Sequence, residues 1–186
     1  MHRRPAATFL ATVAAALALV LAQPAGVATG AQTPAAQAVA APLLIDHFVG
    51  TWVLRGTIDG QQTTHDVDAQ WVLNRGYVRM HEVSREKDAK GAPAYEAIVF
   101  ISFDTKAGEY AVLWLDTTSN AGLTNGGVGR GKPTGSTIPF LIKTNGGDIF
   151  HTSFIYAPTN DSWQWIMDGE SGGKLQPFAR VTLTRK

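Results

Sequence analysis

From residue 43 onward, hydrophobic and polar side chains alternate with a period of two, the pattern of β-strands. Trp163, Trp165 and Met167, for example, fall on one face of such a segment. Turn signals separate the segments, and Asn145-Gly146 is the strongest of them. The pattern predicts strands over residues 49–58, 65–73, 77–85, 95–103, 109–117, 123–129, 137–144, 148–156, 162–167 and 176–184, the sixth being weak. Nine or ten short antiparallel strands joined by short turns predict an all-β, up-and-down barrel.

The two ends of this region predict how the barrel closes. Leu43 to Phe48 has apolar residues at helical spacing and predicts a short helix that plugs one end. Trp52, in Gly50-Thr51-Trp52, lies on the first strand, and Arg185 ends the last strand. We expect the guanidinium of Arg185, or of Arg180 if the register differs, to stack on the Trp52 indole and latch the first strand to the last.

The N-terminal residues are expected to lie outside this fold. A basic start, an apolar run from Phe9 to Ala22 and small residues ending at Ala22 or Ala31 predict a secretory signal peptide over residues 1–31. An Ala-rich linker (32–42) and one barrel domain (43–186) follow. The sequence therefore predicts a secreted or periplasmic protein. It contains no cysteine, which excludes disulfides and lipid attachment through cysteine.

Charge narrows the range of partners. Without Arg3 and Arg4 the formal net charge falls from +1 to −1. A nearly neutral protein has no electrostatic reason to bind nucleic acid or an anionic membrane. We expect a small hydrophobic or amphipathic molecule as the partner. The charge does not indicate the oligomeric state.

Two short motifs resemble catalytic or phosphate-binding signatures but lack the required context. Ser171 lies in a G-x-S-x-G match, yet a β pattern follows it instead of the helix of a nucleophile elbow. Residues 126–133 resemble a P-loop, but Pro133 stands where a Ser or Thr should hold magnesium. Both are expected to be turns or loops, so the sequence predicts no catalytic residue. His47, His65, His81 and His151 show no local zinc-binding spacing, so it predicts no metal site either.

Polar and aromatic residues on the strands predict a ligand site in the lumen. Alternation shows which residues share a face, but it leaves open which face points inward. The candidates are Trp71, Tyr77, Arg79, His81, Trp114, Asp116, His151, Trp163 and Trp165.

Three alternatives to ligand binding remain open. We first expect the barrel to bind no cofactor. Alternatively, it could hold haem through His151 or, as the second choice of ligand, through His81. It could be an acid/base enzyme of isomerase or hydrolase type that uses His81 with Asp116 or Glu82. It could also be filled by its own side chains and act through its surface.

An ordered set of motifs carries a family resemblance. These are Phe48-Val49-Gly50-Thr51-Trp52, Trp71-Val72-Leu73-Asn74, Phe103-Asp104 with Tyr110, Trp114-Leu115-Asp116, Asp161-Ser162-Trp163 and Phe178-Ala179-Arg180 through Arg185. Across most of 43–186 the chain resembles bacterial proteins of the DUF1579 type, which are grouped with lipocalin-like (calycin) barrels and are largely uncharacterised. The resemblance implies a fold and a ligand cavity, but no activity. The glycine-rich segment 122–135 is longer and less apolar than this family would have.

Overall fold

The computed structural model describes residues 43–118, 123, 127–144 and 146–186. The predicted signal peptide (1–31) and linker (32–42) lie outside the described residues. A short 3₁₀ helix, Leu44–Phe48, precedes ten β-strands. The strands are β1 (Gly50–Ile58), β2 (Gln61–Val72), β3 (Tyr77–Ser84), β4 (Glu96–Asp104), β5 (Glu109–Asp116), β6 (Gly127–Gly131), β7 (Thr137–Lys143), β8 (Ile149–Ala157), β9 (Ser162–Ser171) and β10 (Lys174–Arg185).

Each strand pairs antiparallel with its neighbours in sequence, and β1 pairs with β10 to close the barrel. This confirms the predicted all-β, up-and-down barrel. Closure pairs every strand on both sides, which leaves no long sheet edge exposed.

The predicted strands and the observed ones differ mainly where tight turns lengthen a hairpin. β2 begins at Gln61, four residues before the predicted start, because Asp59 and Gly60 both adopt positive φ (47° and 73°). That turn geometry lets Gln61 pair directly with Ile58. In the same way β9 extends to Ser171, and Gly172-Gly173 makes the turn into β10. Ser171 is therefore an exposed residue in a hairpin, as its context predicted.

The barrel has one closed end. It lies where β1 begins and β10 ends, next to the 3₁₀ helix. Ile45 and Phe48 from that helix are fully buried, and the Phe48 ring stacks on Trp163 with centroids 3.8 Å apart. The predicted helical plug is thus a five-residue 3₁₀ helix whose apolar side chains pack into the barrel.

The first and last strands are joined by Trp52 and Arg185, which face each other across the β1–β10 ladder. The guanidinium carbon lies 3.8 Å from the Trp52 ring centroid, and Arg185 also donates a hydrogen bond to the Val49 carbonyl at 2.6 Å. Gly50 makes this approach feasible, since a Cβ there would lie 2.2 Å from an Arg185 nitrogen. Arg180, the alternative partner, instead pairs with Asp168.

Candidate functional site

The barrel encloses a cavity of about 660 Å³ at the end opposite the 3₁₀ helix. Its wall comes from the ends of β1, β3, β5 and β7, the starts of β2, β6 and β8, and the residues just before β4. Trp165 and Met167 of β9 and Phe178 of β10 complete it. Most of the smaller lining residues are polar, and the large aromatic and apolar side chains of the wall are Ile58, Tyr95, Trp114, Ile142, Phe150, Trp165, Met167 and Phe178. The barrel is therefore not filled by its own side chains. The volume of the cavity falls within the ~300–1,000 Å³ range of small-molecule sites.

Two stacked tryptophans form part of the wall. Trp114 and Trp165 stack with their centroids 5.2 Å apart. The Trp165 indole N–H donates to Thr152 Oγ1 at 3.1 Å, and the Trp114 indole N–H donates to the Tyr95 hydroxyl at 3.0 Å. Because each indole N–H has a partner, both rings are fixed in orientation and offer apolar faces to a ligand.

A buried histidine–carboxylate pair lies in the lumen beside the aromatic wall. His65 on β2 and Glu82 on β3 are joined through Nδ1 and Oε1, and both side chains are only 4% exposed. On its other side, His65 Nε2 lies 2.6 Å from Thr63 Oγ1. The β2–β3 register creates the pair by placing Val67 opposite Glu82 and His65 opposite Ser84. Buried charges are tolerated only when they are paired in this way.

Tyr95 connects the His65–Glu82 pair with Asp116. Its ring stacks on His65 at 5.6 Å, and its hydroxyl is hydrogen-bonded to the Asp116 carboxylate. Burial, with the nearby charges of Glu82 and Asp116, holds the pKa of Tyr95 well above its usual value. The hydroxyl therefore stays neutral and serves as a fixed hydrogen-bonding group.

Glu86, which follows β3, lines the cavity. Its carboxylate accepts hydrogen bonds from Ser84 Oγ at 2.7 Å, Thr63 Oγ1 at 3.0 Å and the Thr64 backbone N–H at 3.0 Å. These donors lower the pKa of Glu86 to about 2, and the Ser84 hydroxyl has the largest effect. Glu86 therefore carries a fixed negative charge at neutral pH.

Three of the predicted lumen residues lie in the cavity wall. Trp114 and Asp116 on β5, and Trp165 on β9, share the inward face of their strands. They lie near the polar group of His65, Glu82 and Tyr95.

Trp71 and Trp163 do not line the cavity. The Trp71 indole donates to Asp46 Oδ1 at 2.9 Å, and the Arg75 guanidinium lies 4.7 Å over its ring. Trp163 is fully buried beneath the 3₁₀ helix, where it stacks on Phe48. Both contribute to the closed end, so their role is packing and not contact with a ligand in this cavity.

Four further candidates point out of the barrel, and their assignment to the lumen is corrected here. On β3 the buried inward residues are Val78, Met80, Glu82 and Ser84, so Tyr77, Arg79 and His81 face outward. His151 is outward on β8, because Thr152 and Phe154 are the buried residues of that strand.

The outward histidines have acidic partners. His81 Nε2 lies 2.6 Å from Glu96, and His151 Nε2 lies 2.7 Å from Glu170. Neither faces the lumen, so neither is placed to bind a haem held there. The same geometry separates His81 from Asp116, which lie on opposite sides of the wall, and removes that pair as an acid/base site.

The polar group that does face the lumen was missed in the sequence. The sequence pattern indicated Glu82 only as a possible acid/base partner of His81, its neighbour on the opposite face. It indicated His65 only as a histidine without metal-binding spacing. A signal was present, since His65 is in phase with buried Val67 and Ala69, and Glu82 with Val78 and Met80. A charged residue in phase with an apolar row indicates a buried, partnered charge.

Within residues 43–118, 123, 127–144 and 146–186, no group of three or more His, Asp or Glu side chains is placed to hold a metal ion. The helix described for this chain is far shorter and less apolar than a membrane-crossing helix. No family model and no curated protein matches the sequence.

Proposed function

We propose that this barrel binds a small apolar or amphipathic molecule in its lumen, without covalent chemistry. The cavity of about 660 Å³, which is lined by large aromatic and apolar side chains together with polar and acidic ones, carries this proposal. Sites for small molecules combine a largely apolar, preformed wall with a few polar groups that orient the ligand. Here the stacked Trp114 and Trp165 supply the wall, and His65, Tyr95 and Asp116 supply the polar groups.

The first test is native mass spectrometry and an absorbance spectrum of the mature protein, purified gently. A retained mass of lipid or cofactor size supports lumen binding, and a Soret band would favour haem. A bare protein that takes up no environment-sensitive hydrophobic dye would refute the proposal.

Neighbouring residues on β8 provide a matched pair of variants for the dye experiment. Phe150 lines the cavity, whereas His151 faces outward. Phe150→Ala should weaken dye binding about tenfold or more through lost apolar contact. His151→Ala should leave it unchanged. Equal effects of the two substitutions would place the dye outside the lumen.

Export and family membership form part of the same proposal. Expression of the full chain in a bacterial host, followed by N-terminal sequencing, should find processing after Ala22 or Ala31 and the mature protein outside the cytoplasm. A structure of a DUF1579-type protein would support the resemblance if it placed the motifs named in the sequence analysis, such as Gly50-Thr51-Trp52, at the same strand positions.

A second candidate function, nucleophilic catalysis, is favoured by one observation. Thr63 Oγ1, His65 and Glu82 form a continuous hydroxyl–imidazole–carboxylate chain, and Thr63 lines the cavity. In hydrolases such a chain activates the hydroxyl as a nucleophile. Here the Thr63 hydroxyl also has Glu86 as an acceptor, at 3.0 Å, which competes with the imidazole for its proton.

A fluorophosphonate distinguishes this candidate from binding alone. An activated Thr63 would displace fluoride and gain the phosphonyl mass, and Thr63→Val would abolish the labelling. Unlabelled wild-type protein would rule out the nucleophile and leave ligand binding unaffected.

A further inference from the structure

Apart from His65, which is paired with Glu82, the charged residues that line the cavity are all acidic. Its acidic residues are Asp59, Glu86, Asp116 and Asp148. Among the described residues that line it, no Lys or Arg occurs. The outer face differs, because arginines there pair with acids, as in Arg79–Asp68 and Arg85–Asp66.

Two of these acids, Glu86 and Asp116, accept hydrogen bonds from uncharged groups. Glu86 accepts from hydroxyl and backbone N–H groups, as described above. Asp116 accepts from Thr118 N at 2.9 Å, from Thr118 Oγ1 at 2.6 Å and from the Tyr95 hydroxyl. These donors are neutral. The His65–Glu82 pair adds no net positive charge to the lumen, because the Glu82 carboxylate would balance a charge on the His65 imidazole.

The aromatic wall adds to this field. Ring faces carry partial negative charge and attract cations, most strongly at tryptophan and where water is excluded. Trp114 and Trp165 both line the cavity, and Asp116 follows Trp114 by two residues on the same face of β5. A cation near the two rings is thus also near the Asp116 carboxylate.

We propose that the lumen selects a cationic amphipathic ligand, an organic ammonium with an apolar body, over neutral or anionic molecules of the same size. This inference rests on the proposed function, since it specifies the ligand of the same cavity. An anionic ligand such as a fatty acid would have to lose hydration beside like charges, which disfavours it. An ammonium head group meets carboxylates and ring faces, while its chain covers the aliphatic part of the wall.

Three ligands with one chain and different head groups test the proposal: decyltrimethylammonium, decanol and decanoate. Binding to the mature protein is measured by isothermal titration calorimetry below the micelle-forming concentrations. The expected order of affinity is ammonium, then alcohol, then carboxylate, with at least about tenfold between the first and the last. Ammonium binding should also weaken as salt is added, whereas decanol binding should not.

Two isosteric variants locate the effect. Asp116→Asn should reduce the ammonium-to-decanol affinity ratio several-fold. Asp68→Asn makes the same change of charge on the outer face of β2 and should leave the ratio unchanged. If Asp116→Asn fails to fold, the salt dependence of the wild-type protein decides.

The outcomes separate this inference from the proposed function. Equal binding of the three ligands, or tightest binding of decanoate, would refute cation selection while supporting an open, ligand-binding lumen. Failure of all three to bind would overturn both. An ammonium preference that persists in Asp116→Asn and does not respond to salt would also overturn the proposal.

Discussion

Replacing His65 by Phe tests whether the His65–Glu82 pair is needed to hold a charge inside the barrel. The substitution retains a ring that can stack on Tyr95, but it leaves the Glu82 carboxylate, 4% exposed, without its partner. Breaking a buried ion pair on one side typically costs about 3–5 kcal/mol. We therefore expect His65→Phe to lower the free energy of unfolding by about that amount.

The reverse substitution should cost less. Glu82→Leu removes the carboxylate and leaves an imidazole, which can exist as a neutral ring with one unpaired nitrogen. An unsatisfied buried polar group costs about 1–3 kcal/mol. In the double variant both polar groups are gone, and replacing a buried pair with apolar residues is often nearly neutral. The double variant should thus lie within about 1 kcal/mol of the wild-type protein.

The assay is urea unfolding of all four proteins, followed by tryptophan fluorescence and fitted with a shared slope. The two single effects should be strongly non-additive, with the second substitution restoring most of the stability lost to the first. Additive losses, or a His65→Phe variant as stable as the wild-type protein, would refute the argument that the pair is a buried, mutually compensating charge.

Trp52→Ala should lower the free energy of unfolding by about 3–5 kcal/mol, because the ring is fully buried and its indole N–H donates to the Phe48 carbonyl at 2.6 Å. An unchanged melting temperature would contradict this structural role. Trp114→Ala should instead weaken ligand affinity more than stability, by about tenfold in Kd, since its ring lines the cavity; a loss of stability with intact dye binding would make it core only. Glu86→Gln should destabilise the protein at neutral pH. Glu86 has its pKa lowered from 4.5 to about 2, chiefly by the Ser84 hydroxyl, so its stabilisation is complete above pH 4.5 and lost as pH falls toward 2. Thermal unfolding of both proteins over that range should show the difference disappear in acid, and a difference independent of pH would refute it.

Local pattern was enough to predict most of the strands and the contact that closes the barrel. Strand positions follow from period-two alternation and turn residues, which are local properties of the chain. Trp52 and Arg185 could be matched because a closed up-and-down barrel must pair its first strand with its last. The pairing of Arg185 rather than Arg180 was settled by the register.

The site was less predictable, because alternation defines two faces and does not say which one is inside. On β3 both faces mix polar and apolar residues, so Tyr77, Arg79 and His81 were as plausible for the lumen as Val78, Met80 and Glu82. Trp163 and Trp165 share a face, yet one lies at the closed end and the other in the cavity wall.

The sequence by itself therefore determined the strands, their order and the two faces of each strand, since these depend on neighbours within a few residues. Only the tertiary structure decided which face was inward, which end was closed and which charges met. His65 and Glu82, 17 residues apart, form a pair because barrel closure and the β2–β3 register turn both of them into the same lumen. That arrangement depends on the position of the whole barrel wall, which no local pattern encodes.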